Sequence, residues 1–387
     1  MKPVPHIHSL TPLRGIAAIL VALFHYHLIM SPLLPPGNTM FSKLYLMVDL
    51  FFVLSGFIMC HVYESWFAQR ISSRKFLKFM SARFARLYPL HLFTFLIVLI
   101  VGVALRNSVD MSQVPGVFDM ITDYTAIPFV LTLTHAWGSH LEATWNTVSW
   151  SISVEWFLYL LFPIIILIQH KIKHHGIWLW AITGLTLLFI VAYIFEPNHI
   201  ATIYAERGLP PQALAGHSKN SIDVITGSAL LRGLGGFLIG VSAYQLYRNR
   251  IGMRWLKSGW IFVGVWLFLF LFWSMNQLLD PFAVLLFGVL ILNSAYMEGS
   301  VKKVLNSQVF TFLGDISYSI YLCHMMIFLC YNWICMMKGT KSFPLEDTLL
   351  NNWIEVSIFL LVTIITATLT YNLVEKPARK WMNNKFR

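Results

Sequence analysis

The sequence predicts an all-α fold, a polytopic membrane bundle of about ten transmembrane helices with the N- and C-termini in the cytoplasm. Three observations predict it. Of 387 residues, 57% are hydrophobic and only 12% are charged, about half the charged share of a soluble domain. That much apolar surface exceeds what a water-soluble core of this length hides, whereas lipid solvates it directly. Apolar segments of spanning length recur along the whole chain, and basic residues gather in alternate connections between them. A net charge of +11 would suggest nucleic acid in a soluble protein. Here the charge is distributed as a topology signal, and no nucleic-acid partner is expected.

A span needs about 20 mostly apolar residues. In chain order the expected spans are Gly15–Leu34, Leu44–Val62, Leu87–Leu105, Val148–Ile168, Ile177–Phe195, Ile225–Leu246, Gly259–Met275, Pro281–Tyr296, Val309–Ile334 and Trp353–Leu373. Gly259–Met275 and Pro281–Tyr296 are short and joined by a tight polar link that ends at Asp280. Thr11 and Pro12 suit the start of the first helix, as a cap and a first-turn residue. The apolar patch Ala126–Thr134 is too short to cross and reads as re-entrant or interfacial.

With the N-terminus inside, most of the 28 basic residues fall on one face. They include Lys2, the run Arg70, Arg74, Lys75, Lys78, Arg83 and Arg86, the group Arg248, Arg250, Arg254 and Lys257, and the C-terminal Lys376, Arg379 and Lys380. The opposite face carries Asp110, Asp119, Asp123, Glu142, Glu196, Glu206, Glu346 and Asp347. Counting Ala126–Thr134 as a further crossing would invert every later loop. Lys2 is followed by an apolar segment without a small-residue cleavage pattern, so no cleaved signal peptide is expected. Residues 1–387 read as a single transmembrane domain with no appended extramembrane domain, compatible with homo-oligomerisation. The four cysteines, Cys60, Cys323, Cys330 and Cys335, read as membrane-embedded free thiols.

Ionisable groups at bilayer depth are costly and are functional candidates by default. Arg14 and His25 are eleven residues apart, about three full helical turns, so they share one face about 16 Å apart along the axis. Arg14 then lies at the cytoplasmic rim and His25 near the midplane. Glu155 is expected about 10 Å in from the outer surface, with a histidine on a neighbouring span as its partner. Asp49 sits near the outer end of its span, as a cap or a catalytic carboxylate. Arg232 reads as snorkelling outward, and His27 and His324 as packing residues. Arg83 and Arg86, three apart, share a helix face where paired guanidiniums suit lipid headgroups or a multiply phosphorylated ligand. The histidines show no metal-ligand spacing, and no metal is expected.

Several motifs resemble the acyltransferase 3 family of membrane acyltransferases. They are Leu13-Arg14-Gly15 with Phe24-His25, the run from Val48 to Phe57, Arg83-Phe84-Ala85-Arg86-Leu87-Tyr88-Pro89, Trp150-Ser151-Ile152-Ser153-Val154-Glu155, the run from Gly314 to His324, and Glu375-Lys376-Pro377. Their order and spread from residue 13 to 377 carry the resemblance. It implies an enzyme of the bacterial cytoplasmic (inner) membrane that moves an acyl group, usually acetyl, from cytoplasmic acyl-CoA (acetyl-CoA) to a hydroxyl. The acceptor would be a carbohydrate or lipid-linked glycan, as in O-antigen, exopolysaccharide, peptidoglycan or macrolide modification. By the same resemblance His25 is the central catalytic residue, and Arg14, Arg83 and Arg86 serve the donor. His25 would act as general base or brief acyl carrier with Glu155 orienting it and Asp49 as second choice. Many relatives have an acidic residue and glycine before the Leu-Arg-Gly, where this chain has Thr11-Pro12. The competing class is a transporter or flippase that moves a glycolipid or acylated substrate without chemistry.

Overall fold

Inside lipid every backbone polar group needs an internal partner, which leaves the helix as the default for long apolar segments. The computed structural model describes residues 6–30, 32–35, 37–110, 118, 121–140, 144–195, 221–275, 279–340 and 348–385. Its helices are α1 (Leu10–Ile29), α2 (Met47–Phe67), α3 (Ser73–Ser108), α4 (Ile127–Leu131), α5 (Trp150–Ile172), α6 (Gly176–Ile190) and α7 (Ala229–Arg248). They continue as α8 (Gly259–Ser274), α9 (Asp280–Tyr296), α10 (Ser300–Leu305), α11 (Gln308–Asp315), α12 (Ser317–Met337), α13 (Leu349–Thr370) and α14 (Lys376–Lys385). Short 3₁₀ turns lead into α2, α4 and α5, and π-helical turns extend α6 and α13. No strand is present among the described residues, only one isolated bridge between Ser258 and Glu298.

Among the described residues, eight helical stretches have the length and apolarity of a membrane span, and two shorter apolar helices, Gly259–Ser274 and Asp280–Tyr296, stand at the remaining two expected positions. The surface of α13 shows why the bundle belongs in lipid. Leu350, Ile354, Ile358, Leu361, Ile365 and Leu369 recur at helical spacing and are all exposed, while Asn352, Glu355, Thr363 and Thr370 on the opposite face are buried. A soluble helix turns its apolar stripe inward; this one turns it outward. Glu355 is satisfied within the bundle by the Tyr26 hydroxyl, which donates to it at 3.1 Å.

Small residues let the central helices touch. A Cβ on Gly56 of α2 would overlap the Phe237 carbonyl of α7, and one on Gly240 of α7 would overlap the Val53 carbonyl of α2. The two backbones lie against each other, as small-residue interfaces permit in membranes. Gly15 and Gly314 do the same for α1 and α11, with Leu313 and Thr11 as neighbours.

Two expectations about threading change. The expected span Val309–Ile334 is broken at Ile316: α11 ends at Asp315 and α12 starts at Ser317. The cause is local, since Val309 and Phe312 are exposed on a short helix laid against α1 rather than continued through the bundle. Asp280 is no polar link but the buried first residue of α9, bonded to Lys43 Nζ at 2.7 Å. Of the acidic residues expected outside, Asp119, Glu142, Glu196, Glu206, Glu346 and Asp347 lie outside the described residues, as does Lys2.

The Ala126–Thr134 patch folds back into the bundle. Its short helix α4 ends with the Val130 carbonyl accepting from Nε2 of buried His91 at 3.0 Å. Beyond it, Ser153 Oγ donates to the Leu133 carbonyl at 2.8 Å and accepts from the Ala136 N–H at 3.2 Å. Trp137 Nε1 donates to the Ser153 carbonyl at 3.1 Å. Side chains from α3 and α5 thus replace the water that non-helical backbone would otherwise need. A consequence follows for α5. The Val148 carbonyl, expected at the outer surface, accepts from Tyr321 on the second turn of α12 at 3.0 Å. Tyr318, one turn earlier, donates to the Leu87 carbonyl at 2.6 Å, one residue past Arg86. Helix α5 therefore begins deep in the bundle, and Glu155 arrives at the level of the arginines.

Candidate active site

Two cavities meet inside the bundle, sharing Val48 and Tyr321 as a partition. The first, about 320 Å³, is lined by Arg14 from α1, Arg83 and Arg86 from α3, and Glu155 and Tyr159 from α5. Arg14 stands at the start of α1, and α3 extends well beyond the apolar region before Arg83, so all three cations converge at one end. Arg83 is held firmly. Its Nη2 donates to the Tyr63 hydroxyl at 2.9 Å, and its guanidinium lies 5.1 Å and 5.8 Å from the Tyr63 and Tyr159 ring centres. Its Nε is buried without a hydrogen-bond partner. Arg14 and Arg86 form no hydrogen bond or ion pair among the described residues, although each feels the other's charge and that of Glu375. Glu155 accepts from Ser55 Oγ at 3.1 Å and also from the Tyr159 hydroxyl. Three guanidiniums against one carboxylate leave this cavity cationic, with donors unspent.

The second cavity, about 530 Å³, is mostly apolar and contains His25. One end is polar, with Tyr45, Asp223 and Arg232, and the rest runs along Phe328, Leu329 and Trp333 of α12. Nδ1 of His25 lies 3.0 Å from the Val21 carbonyl and 3.1 Å from Nε2 of His324. His324 is fully buried, and its own Nδ1 lies 3.2 Å from the Ile320 carbonyl. The expected stripe is thus real in part. Arg14 and His25 share α1, but they open into different cavities on either side of the partition.

The carboxylates expected to serve His25 are placed elsewhere. Glu155 is bonded to Ser55 and Tyr159 in the arginine cavity, because the infolded segment before α5 carries it past His25's level. Asp49 is fully buried and taken by Arg232, whose Nη2 and Nε donate at 2.8 and 3.0 Å. Arg232 does not snorkel. It is also fully buried, its Nη1 reaching Asp223 Oδ1 at 3.2 Å and the Val224 carbonyl at 3.1 Å, with the Tyr45 and Trp150 rings beside it. Asp223, the second carboxylate on Arg232, lies on the wall of the same cavity as His25. Neither Asp223 nor the role of His324 as His25's neighbour stood out in the sequence. A buried Arg232 was the available signal, since an intramembrane cation needs an anion. From sequence, the aromatic and polar residues at 134–137 and 144–146 suit either stacking on a sugar or an interfacial position without one. His135, Thr144, Trp145 and Asn146 are in fact buried.

The fold and site together define a multi-pass helical membrane protein with a cationic cavity beside a second cavity that holds His25, which is paired with the buried His324. A family model described as an acyltransferase domain matches residues 7–372, and the chain belongs to the acyltransferase 3 family. Similar proteins include Acyltransferase MdmB of Streptomyces mycarofaciens, 25% identical over 398 residues that span 99% of this chain and 94% of that protein. Protein 2 in picA locus of Rhizobium radiobacter is 31% identical over 134 residues, 32% of this chain and 64% of its own length. No solved structure matches the chain. The protein is an acyltransferase acting within a membrane, which sets aside transport without chemistry.

Proposed function

We propose that the protein moves an acetyl group from acetyl-CoA, bound from the cytoplasmic side, to a hydroxyl of a carbohydrate acceptor, a surface polysaccharide or O-antigen unit at the bacterial cytoplasmic membrane. The observation that carries this reading is the pairing of cavities. One presents three guanidiniums with unspent donors, the other presents an imidazole, and Val48 and Tyr321 line both. Coenzyme A has the matching form, with phosphates at one end and a thioester at the end of a long thin arm. Arg14 and Arg86 take the phosphates by charge-assisted, forked hydrogen bonds, and Arg83, stacked between two tyrosines, fixes their position. The arm then passes Tyr321 and presents the thioester to His25.

On the other side, the acceptor occupies the larger cavity with its reacting hydroxyl at His25. His25 takes the hydroxyl proton as the oxygen attacks the thioester carbonyl. The carbon–sulfur bond then breaks, and the same proton passes to the departing thiolate, giving an ester and free coenzyme A. Asp223 supports the transient imidazolium across the cavity. Glu155 keeps Ser55 and Tyr159 in place and offsets part of the arginine charge. Asp49 acts structurally, as the buried partner of Arg232.

The test supplies acetyl-labelled acetyl-CoA to membranes containing the protein and its native acceptor. Label appearing in the saccharide fraction with equimolar thiol release is the expected result. Thiol release with label only in water-soluble acetate or in lipid would overturn the carbohydrate acceptor.

A further inference from the structure

The hydrogen bonds around His25 and the buried His324 fix where each proton sits, and the consequence reaches the reacting nitrogen. A backbone carbonyl only accepts. The Val21 carbonyl lies 3.0 Å from His25 Nδ1, and the Ile320 carbonyl lies 3.2 Å from His324 Nδ1. If either nitrogen were unprotonated, its lone pair would face a carbonyl lone pair at hydrogen-bond distance, a repulsive contact. Both Nδ1 atoms therefore carry hydrogen. A neutral imidazole carries one such hydrogen, so Nε2 of His324 is a bare acceptor, and it lies 3.1 Å from His25 Nδ1. The His25 Nδ1–H is shared between the Val21 carbonyl and His324, and His25 Nε2 keeps its lone pair.

From this arrangement we infer that His324 is a positioning residue that locks His25 in the tautomer whose Nε2 is the free base. The inference deepens the proposed reaction and rests on His25 being its base. Val21 alone is a weak lock, because its carbonyl is four residues back on α1 and is also the ordinary helical acceptor for the His25 backbone N–H. His324 supplies the second acceptor from another helix, with the ring planes tilted by 41° and the centroids 5.0 Å apart. His324 itself is fully buried and lines neither cavity, so it touches no substrate. The lock also survives the reaction. When His25 accepts a proton at Nε2, its Nδ1–H still has both acceptors, and the imidazolium gains no unsatisfied donor on that side.

The experiment combines spectroscopy with rescue. Protein carrying ¹⁵N-histidine is examined by NMR in membranes, with the His25 signals assigned by difference against His25→Ala. The expected spectrum shows a protonated Nδ1 and an unprotonated Nε2 on His25, with coupling across the hydrogen bond to His324. His324→Leu removes the acceptor at similar bulk, and His324→Gln keeps an acceptor oxygen near the Nε2 position. The leucine variant is expected to mix the His25 tautomers and lower kcat roughly 10- to 100-fold at an unchanged KM for acetyl-CoA, as loss of an orienting partner does elsewhere. The glutamine variant is expected to restore both. A wild-type His25 protonated at Nε2 overturns the inference, as does an unchanged His25 tautomer in the leucine variant. Where the leucine variant fails to fold, the wild-type spectrum and the glutamine variant decide. The spectrum does not depend on turnover, so transfer persisting in His25→Ala would refute the base while leaving the histidine pair intact.

Discussion

The arginine cavity makes an unequal prediction for its three cations. Arg86 makes no bond to the protein among the described residues and stands within reach of the like charge of Arg14. Its removal breaks no hydrogen bond, and the repulsion from Arg14 that it relieves offsets the attraction to Glu375 that it loses, so Arg86→Ala is expected to shift stability by no more than about 0.5 kcal/mol. For the donor the loss is large. A hydrogen bond to a charged group is worth about 1.5–3 kcal/mol, and each 1.4 kcal/mol is a factor of ten. One lost phosphate contact then raises KM for acetyl-CoA about 10- to 100-fold with kcat nearly unchanged, since the contact persists equally in ground and transition states. Arg83→Ala differs. It also removes the bond to Tyr63 and the cation between Tyr63 and Tyr159, so both KM and stability should suffer. The assay is thiol release from acetyl-CoA as a function of donor concentration, beside thermal unfolding of the same membranes. An Arg86→Ala protein with wild-type KM and a depressed kcat would refute the donor cradle.

Two further outcomes follow from packing and charge. Arg232→Leu leaves Asp49 buried without its cation and is expected to cost about 3–5 kcal/mol, read by thermal unfolding. Adding Asp49→Leu should recover much of that loss, and a double variant no better than Arg232→Leu would deny the pairing. Gly240→Val would drive a side chain into the Val53 carbonyl of α2. It should lower stability by several-fold more than Gly264→Val, whose site has open space around it, and equal effects would count against the α2–α7 contact.

What the sequence made legible was set by hydropathy and by helical geometry. Arg14 and His25 share a face because both lie on one unbroken helix, and eleven residues suffice to place them. Arg83 and Arg86 converge with Arg14 because basic residues mark one end of every span. Depth was not legible for Glu155. Its position depends on how far residues 121–140 fold inward, and that is decided by His91 on α3 and Ser153 on α5, side chains that no local window connects. Likewise, nothing local pairs Asp49 with Arg232 or Lys43 with Asp280, partners 183 and 237 residues apart. His324 looked like packing because its function lies in a hydrogen bond to a residue 299 positions away.

The central claim is that His25 performs the transfer for a donor held by the arginines. Its most direct test measures thiol release and acceptor acetylation by His25→Ala in membranes, with insertion and unfolding temperature recorded beside the wild type. Loss of a general base predicts a fall of at least about 10²-fold in kcat with the KM for acetyl-CoA preserved. Acetylation at the wild-type rate by a correctly inserted His25→Ala protein would contradict the account.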